Sequence, residues 1–397
     1  MNITGRGIRI DPSAKTSATG LLSSAIQSNG LRSTCARLAL CLPILLGGCP
    51  SSDTGGTTTQ SDSDSNENQG YSDNIAGSSQ NITFEGADLT LEGTLEMPVS
   101  AKTGQTPAIV LVHGSGPLSR NSPLPGQLNM SFSFTVPVFK QISEALANAG
   151  YAVLRYDKRS CGTFNECTEN DYPKPTADLT VYDFIADAEA ALDYLHTRPE
   201  IDQSRVYLLG HSQGASFVPD IANRRTDVAG GIMLTPQYRP IDALLAQHEE
   251  DSRQLLTAYD VADDEIDTML GYLPGAVDDL TALRSGSFTG ESILSTPVGF
   301  WQSWMDVTDA APGIASDLTV PLLLIGGSYD WNIPDEDRSL WAETLSGTGH
   351  EVTTLDCVTH ALNCITQPDF MELTLADIGT TVHEPLVRKV LQFLDAH

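Results

Sequence analysis

The run Gly210-His211-Ser212-Gln213-Gly214 sets a serine between two glycines, after an apolar stretch at 205–210 and before a helical one at 213–223. That context suits a turn too tight for a Cβ atom. Such a turn lifts a serine hydroxyl above the end of a strand and aims the next main-chain amide at the same point. A serine hydroxyl is a weak nucleophile until a base takes its proton. The base must be a histidine, oriented by a carboxylate.

The chain has eight histidines. His211 lies inside the serine turn and His113 inside a glycine-rich run. His360, in Asp356-Cys-Val-Thr-His-Ala-Leu, just follows the apolar segment 351–356, so its loop returns over the edge that carries Ser212. His350 precedes that segment, at the opposite edge, and His383 adjoins the last helix. His360 is therefore the expected base. The carboxylate should come from the preceding strand end, where Asp330 closes Leu324-Ile-Gly-Gly-Ser-Tyr-Asp. Asp335 and Asp337 are alternatives, but they read as the start of a helix, and an Asp after a strand also serves plain turns.

Attack on a carbonyl develops negative charge on its oxygen, and main-chain N–H groups must meet it. Gln213 supplies one. His113-Gly114-Ser115-Gly116-Pro117, after the apolar run 108–113, supplies the second: Ser115, with Gly116 as the alternative. Glycines there let the backbone approach closely, although a simple turn would use them too.

Taken in order, His-Gly-Ser-Gly-Pro, Tyr151-Ala-Val-Leu-Arg-Tyr-Asp-Lys-Arg159-Ser-Cys-Gly162, Gly-His-Ser-Gln-Gly and Gly-Gly-Ser-Tyr-Asp resemble bacterial α/β-hydrolase esterases of the serine-aminopeptidase-like group, over about residues 85–395. The order Ser212, Asp330, His360 is also that of the α/β hydrolases. The resemblance implies carboxylesterase chemistry on short acyl chains, with peptidase or amidase activity as the alternative. It calls for no metal or organic cofactor. A non-catalytic binding protein that keeps the fold is the reading from another class. Ser160-Cys161 departs from the glycine usual in the group, as do Cys357 and Cys364 on either side of His360.

The positioning elements follow from periodicity. Apolar runs at 108–113, 151–156, 205–210, 230–235, 321–326 and 351–356 alternate with helical patterns at 138–149, 179–195, 213–223 and 385–396. This alternation implies a mostly parallel sheet covered on both faces. The period-two stretch 89–96 is an early hairpin or edge strand. Residues 236–315, too long for a simple connection, are expected to form a helical cap. In it Tyr238, Trp301 and Trp304 either line a substrate pocket or fill the core of the cap.

The formal net charge is −29, with 22 Lys+Arg against 51 Asp+Glu. Phosphate binding needs clustered cations, so nucleic-acid partners are excluded. Residues 1–48 contain a basic flank and the short apolar stretch 38–48, which is an export signal rather than a membrane span. Leu46-Gly47-Gly48-Cys49 resembles a bacterial lipobox, which implies a lipid on Cys49 and export to a bacterial outer membrane or cell surface. Residues 49–80 are Ser-, Thr- and Asp-rich, cannot bury enough surface to fold, and read as a tether. The folded unit then covers 81–397. Its partners are expected to be a small ester or short peptide, and a membrane only through the lipid.

Export places the chain where disulfides persist. Of the three possible pairings of Cys161, Cys167, Cys357 and Cys364, the local one is expected: Cys161–Cys167 and Cys357–Cys364. The spacing matches no common zinc pattern.

Overall fold

The computed structural model describes residues 77–86, 88–125, 135–161, 178–258, 260–367 and 375–397. Cys49, Cys167, the expected export signal and all but the last residues of the expected tether lie outside them.

An eight-stranded sheet forms the frame. Its strands are β1 (Ser78–Glu85), β2 (Thr90–Met97), β3 (Thr106–Val112), β4 (Ala152–Tyr156), β5 (Ile201–His211), β6 (Gly230–Leu234), β7 (Leu322–Gly327) and β8 (Glu351–Leu355). Their spatial order is β1-β2-β4-β3-β5-β6-β7-β8. The first two strands form an antiparallel hairpin, β2 joins β4 antiparallel, and every later pairing is parallel.

The helices are α1 (Val138–Asn148), α2 (Val181–His196), α3 (Gln213–Arg224), α4 (Ile241–Ala258), α5 (Asp263–Leu270), α6 (Leu273–Arg284), α7 (Val298–Asp317), α8 (Asp335–Thr344) and α9 (Glu384–Ala396). Side chains alternate across a strand, so the apolar runs feed two cores. Ala108, Val110 and Val112 of β3 meet residues of α2, α3 and α7, while Ile109 and Leu111 meet α1 and α9. Strands buried on both faces explain why these segments read as continuous apolar runs.

After β3 the chain crosses one face through α1, and after β5 it crosses the other through α3. These strands are neighbours, with Val112 opposite Gly210. Their connections part at their C-terminal ends and open a crevice, the place where open α/β sheets hold ligands.

The stretch 236–315 is helical, but its parts do different jobs. Helix α4 packs against both α5 and α6. Helix α7 lies beside α2 and α3 over the sheet, and the Ser303 hydroxyl accepts the Val181 amide of α2. It is the crossover that a parallel β6–β7 pair requires, so this part of 236–315 packs with the sheet.

Candidate active site

Strand β5 ends at His211, and Ser212 has φ 55° and ψ −121°. This left-handed φ is strained for a residue with a side chain. It is held from both sides: the Ser212 amide donates to Leu234 O at 2.9 Å, and the Ser212 carbonyl accepts from Ala215 at 2.9 Å. The flanking glycines are set by main-chain contact. A Cβ on Gly210 would lie 2.3 Å from Gly214 O, and one on Gly214 would lie 2.3 Å from Val112 O and 2.4 Å from His113 O.

The hydroxyl of Ser212 lies 3.0 Å from Nε2 of His360, and Nδ1 of His360 lies 2.9 Å from Oδ2 of Asp330. Three chain segments, after β5, β7 and β8, thus converge in one buried relay. The other carboxylate oxygen, Oδ1, accepts the amides of Asn332 and Ile333, each at 2.9 Å. Both oxygens of Asp330 are therefore aimed by its own turn.

The His360 loop is pinned to the Asp330 loop. The Tyr329 amide donates to Val358 O at 3.0 Å, and a Cβ on Gly327 would fall 2.2 Å from the same oxygen. A disulfide joins Cys357 to Cys364 around the histidine. Cys161 is fully buried and disulfide-bonded. The sulfurs of Cys357 and Cys364 and a ring nitrogen of His383 fall within 4.8 Å of one another. Bonded to each other, those sulfurs offer no thiolate to a metal.

The glycine-rich loop after β3 reaches the same point. A Cβ on Gly114 would lie 3.2 Å from Cβ of Ser212, so the Gly114–Ser115 peptide borders the nucleophile. Gly116 adopts φ 93°, which glycine tolerates. Gln213 is the first residue of α3, where amides have no intrahelical partner and the helix dipole is positive.

Two buried histidines frame this loop in neutral form. Burial lowers His113 to about 4 and His211 to about 3. Each donates Nε2–H to a carbonyl, His113 to Tyr156 and His211 to His360. The residues after β4 divide their tasks. Asp157 takes Nε and Nη2 of Arg120, and Arg159 grips both oxygens of Asp187 on α2 at 2.6 and 2.7 Å. Between them Lys158 turns inward, 3% exposed, with Nζ 2.6 Å from Gly114 O and 3.1 Å from Oε1 of Gln213.

Tyr238, Trp301 and Trp304 lie in packing. Trp301 and Trp304 are each 1% exposed and stacked 5.6 Å apart on α7, with their indole N–H groups given to Ile293 O and Gln237 Oε1. Tyr238 sets its ring edge on Trp341 and shares a hydrogen bond with Thr344. A small cleft lies instead between α4 and the Asp330 turn. It is lined by His248, Asp251, Ser252, Leu255 and Trp331. Trp331 directly follows Asp330, and His248 donates Nε2–H to Asn332 O at 2.8 Å, since that oxygen only accepts.

A model of the alpha/beta hydrolase family matches residues 109–371, which is most of the described frame. The chain belongs to the alpha/beta hydrolase family. A curated member, esterase EstD of Thermotoga maritima, is 31% identical over 268 residues, covering 67% of this chain and 57% of that protein. The chain thus spans little more than half the length of that relative. Among solved structures, a hypothetical protein of Pseudomonas aeruginosa superposes with a TM-score of 0.50 at 13% identity, over 85% of this alpha/beta hydrolase and all of that chain. That likeness concerns the fold.

Proposed function

We propose that this alpha/beta hydrolase cleaves carboxylic esters through an acyl-enzyme on Ser212. The observation that carries this is the buried relay from Ser212 Oγ through His360 to Asp330, at 3.0 and 2.9 Å. His360 Nε2 takes the hydroxyl proton as Oγ attacks the carbonyl carbon. Asp330 holds the proton on Nδ1 and stabilises the imidazolium that forms. The amides of Gln213 and Ser115 receive the oxyanion. The proton then passes from His360 to the departing alkoxide, and the alcohol leaves. Water, deprotonated by the same histidine, attacks the acyl-Ser212 ester, and the acid is released with Ser212 restored.

The small cleft beside Trp331 receives the part of the substrate next to the scissile bond, in place of the buried pair Trp301 and Trp304. The likeness to an esterase supports ester substrates. The motifs of the serine-aminopeptidase-like group keep amides and short peptides as the alternative. The export signal and the lipobox-like Cys49 support a lipid-anchored, exported protein held off a membrane by residues 49–80, with Cys161 paired to Cys167.

The test is reaction of the purified protein with a fluorophosphonate probe and with p-nitrophenyl acetate, butyrate and octanoate, beside Ser212→Ala. Labelling and turnover that vanish in the variant are expected. Folded protein that neither labels nor turns over would leave a binding protein on this fold. Matched ester and anilide substrates separate ester from amide cleavage.

A further inference from the structure

Resting on the esterase proposal, we propose that Lys158 is a positioning residue for the oxyanion site: its ammonium fixes and polarises the Gly114–Ser115 peptide and ties it to the Gln213 turn.

The carbonyl of Gly114 and the amide of Ser115 belong to one peptide unit. In a trans peptide these groups point in opposite directions. A donor clamped on Gly114 O from one side therefore aims the Ser115 N–H to the other. Nζ of Lys158 lies 2.6 Å from that oxygen, and a charged donor binds about twice as strongly as a neutral one. Electron density drawn toward the carbonyl leaves the N–H a better donor, as in any hydrogen-bonded chain. The same Nζ lies 3.1 Å from Oε1 of Gln213, whose main-chain amide is the other proposed donor. One ammonium thus holds both halves of the site in register.

The surroundings leave this charge no cheaper purpose. No carboxylate pairs with Lys158 among the described residues. Asp157 is turned to Arg120 and Asp187 to Arg159. Lys158 instead lies over the ring of Phe184, 4.2 Å from its centroid. Burial of an unpaired cation works against folding, and here burial lowers the ammonium to about 7. A methionine would fill the same space without that cost.

The groups around Nζ permit a pH test. They are His113 at the end of β3, Tyr156 of β4, Asp187 and Phe184 of α2, and Gln213 of α3. His113 is already neutral above about 4, burial holds the Tyr156 hydroxyl protonated far above its usual range, and Asp187 is locked to Arg159. Lys158, lowered to about 7, changes charge between pH 6 and 9.

The experiment compares wild type, Lys158→Met and Lys158→Gln. It reads kcat and KM on p-nitrophenyl butyrate and the inhibition constant of a trifluoromethyl ketone, whose adduct with a serine carries an oxyanion. Lys158→Met should lower kcat by roughly tenfold to a hundredfold, short of the loss of a direct donor. KM should stay within about threefold, and ketone binding should weaken by the same factor as kcat. Lys158→Gln, which keeps a donor without the charge, should fall between. Its deficit relative to wild type should be largest below pH 7 and shrink toward pH 9. A kcat and ketone affinity within threefold of wild type would overturn the proposal, as would a lower kcat with ketone binding unchanged. If Lys158→Met does not fold, Lys158→Gln carries the same criteria. The wild-type protein with no Ser212-dependent turnover defeats the esterase reading, whereas Ser212-dependent turnover indifferent to residue 158 defeats only this one.

Discussion

His211 holds the backbone of His360: its Nε2–H donates to the main-chain carbonyl of His360 at 2.8 Å, with the rings 4.9 Å apart. The residue before the nucleophile thus fixes the loop of the base. Because a carbonyl only accepts, the proton of His211 sits on Nε2. Its Nδ1 has no hydrogen-bond partner among the described residues.

That neutrality makes the fold acid-sensitive. In the folded chain His113 titrates at about 4 and His211 at about 3, against 6.5 for exposed histidine. Below 6.5 the unfolded chain takes up protons that the folded chain refuses. The stabilisation is complete above pH 6.5 and is lost as pH falls toward 4 and then 3. Each histidine contributes about 1.4 kcal/mol per pH unit in that window. Urea unfolding between pH 7 and 4.5 should show a steep decline. His113→Gln, which still donates to Tyr156 O, should flatten it by about one proton. An unchanged slope in that variant would contradict the assignment.

Asp330→Asn should lower kcat by roughly 10⁴ at nearly unchanged stability. Oδ1 faces two main-chain donors, so the carbonyl of the asparagine must take that place. Its NH2 then faces Nδ1 of His360, which becomes an acceptor and moves the ring proton to Nε2. A protonated Nε2 cannot accept from Ser212. Near-normal turnover by a folded variant would remove Asp330 from the relay.

The glycines of the elbow and of the oxyanion loop should behave differently. Gly214→Ala drives a Cβ into two main-chain oxygens that cannot move without shifting β3. It should cost roughly 3 kcal/mol or more. Gly116→Ala meets nothing within 4 Å and pays only for its φ of 93°, about 1 to 2 kcal/mol. Denaturant titrations of the pair test the contrast, and equal stabilities would refute it.

Replacing Cys357 and Cys364 together by serine should destabilise by roughly 2 kcal/mol, the loop-entropy value for so short a closure. The loop carries His360 between the two sulfurs, so kcat should fall several-fold while KM holds. A variant with wild-type kcat would show that the main-chain bonds of Val358 and Leu362 suffice to hold the base.

The sheet and the elbow were legible because both leave one-dimensional traces. Strands buried on two faces must be apolar throughout, and a turn with main-chain contact on both sides must place glycines at fixed spacing. Strand β1 was less so. It begins at Ser78, within the stretch read as tether, because an edge strand exposed over most of its length needs few apolar residues. Helix α7 carries the same periodicity whether it faces a cap or a sheet, so its place as a crossover could not be read. Trp301 and Trp304 share that ambiguity. The place of Lys158 was not legible, since nothing in a lysine's neighbours along the chain reveals that its ammonium is buried beneath another loop.

The chain leaves the frame at the end of β6, and α7 carries it back across the sheet to the start of β7, the adjacent parallel strand, with Ile232 opposite Leu323. Helices α4–α6 therefore form an excursion between β6 and α7, both of which are packed into the frame. The relay is mounted on the ladder, while one wall of the cleft belongs to the excursion. On the proposed reading, in which the cleft holds substrate, segments of residues 241–284 can be exchanged, lengthened or rebuilt while the proton path stays in place.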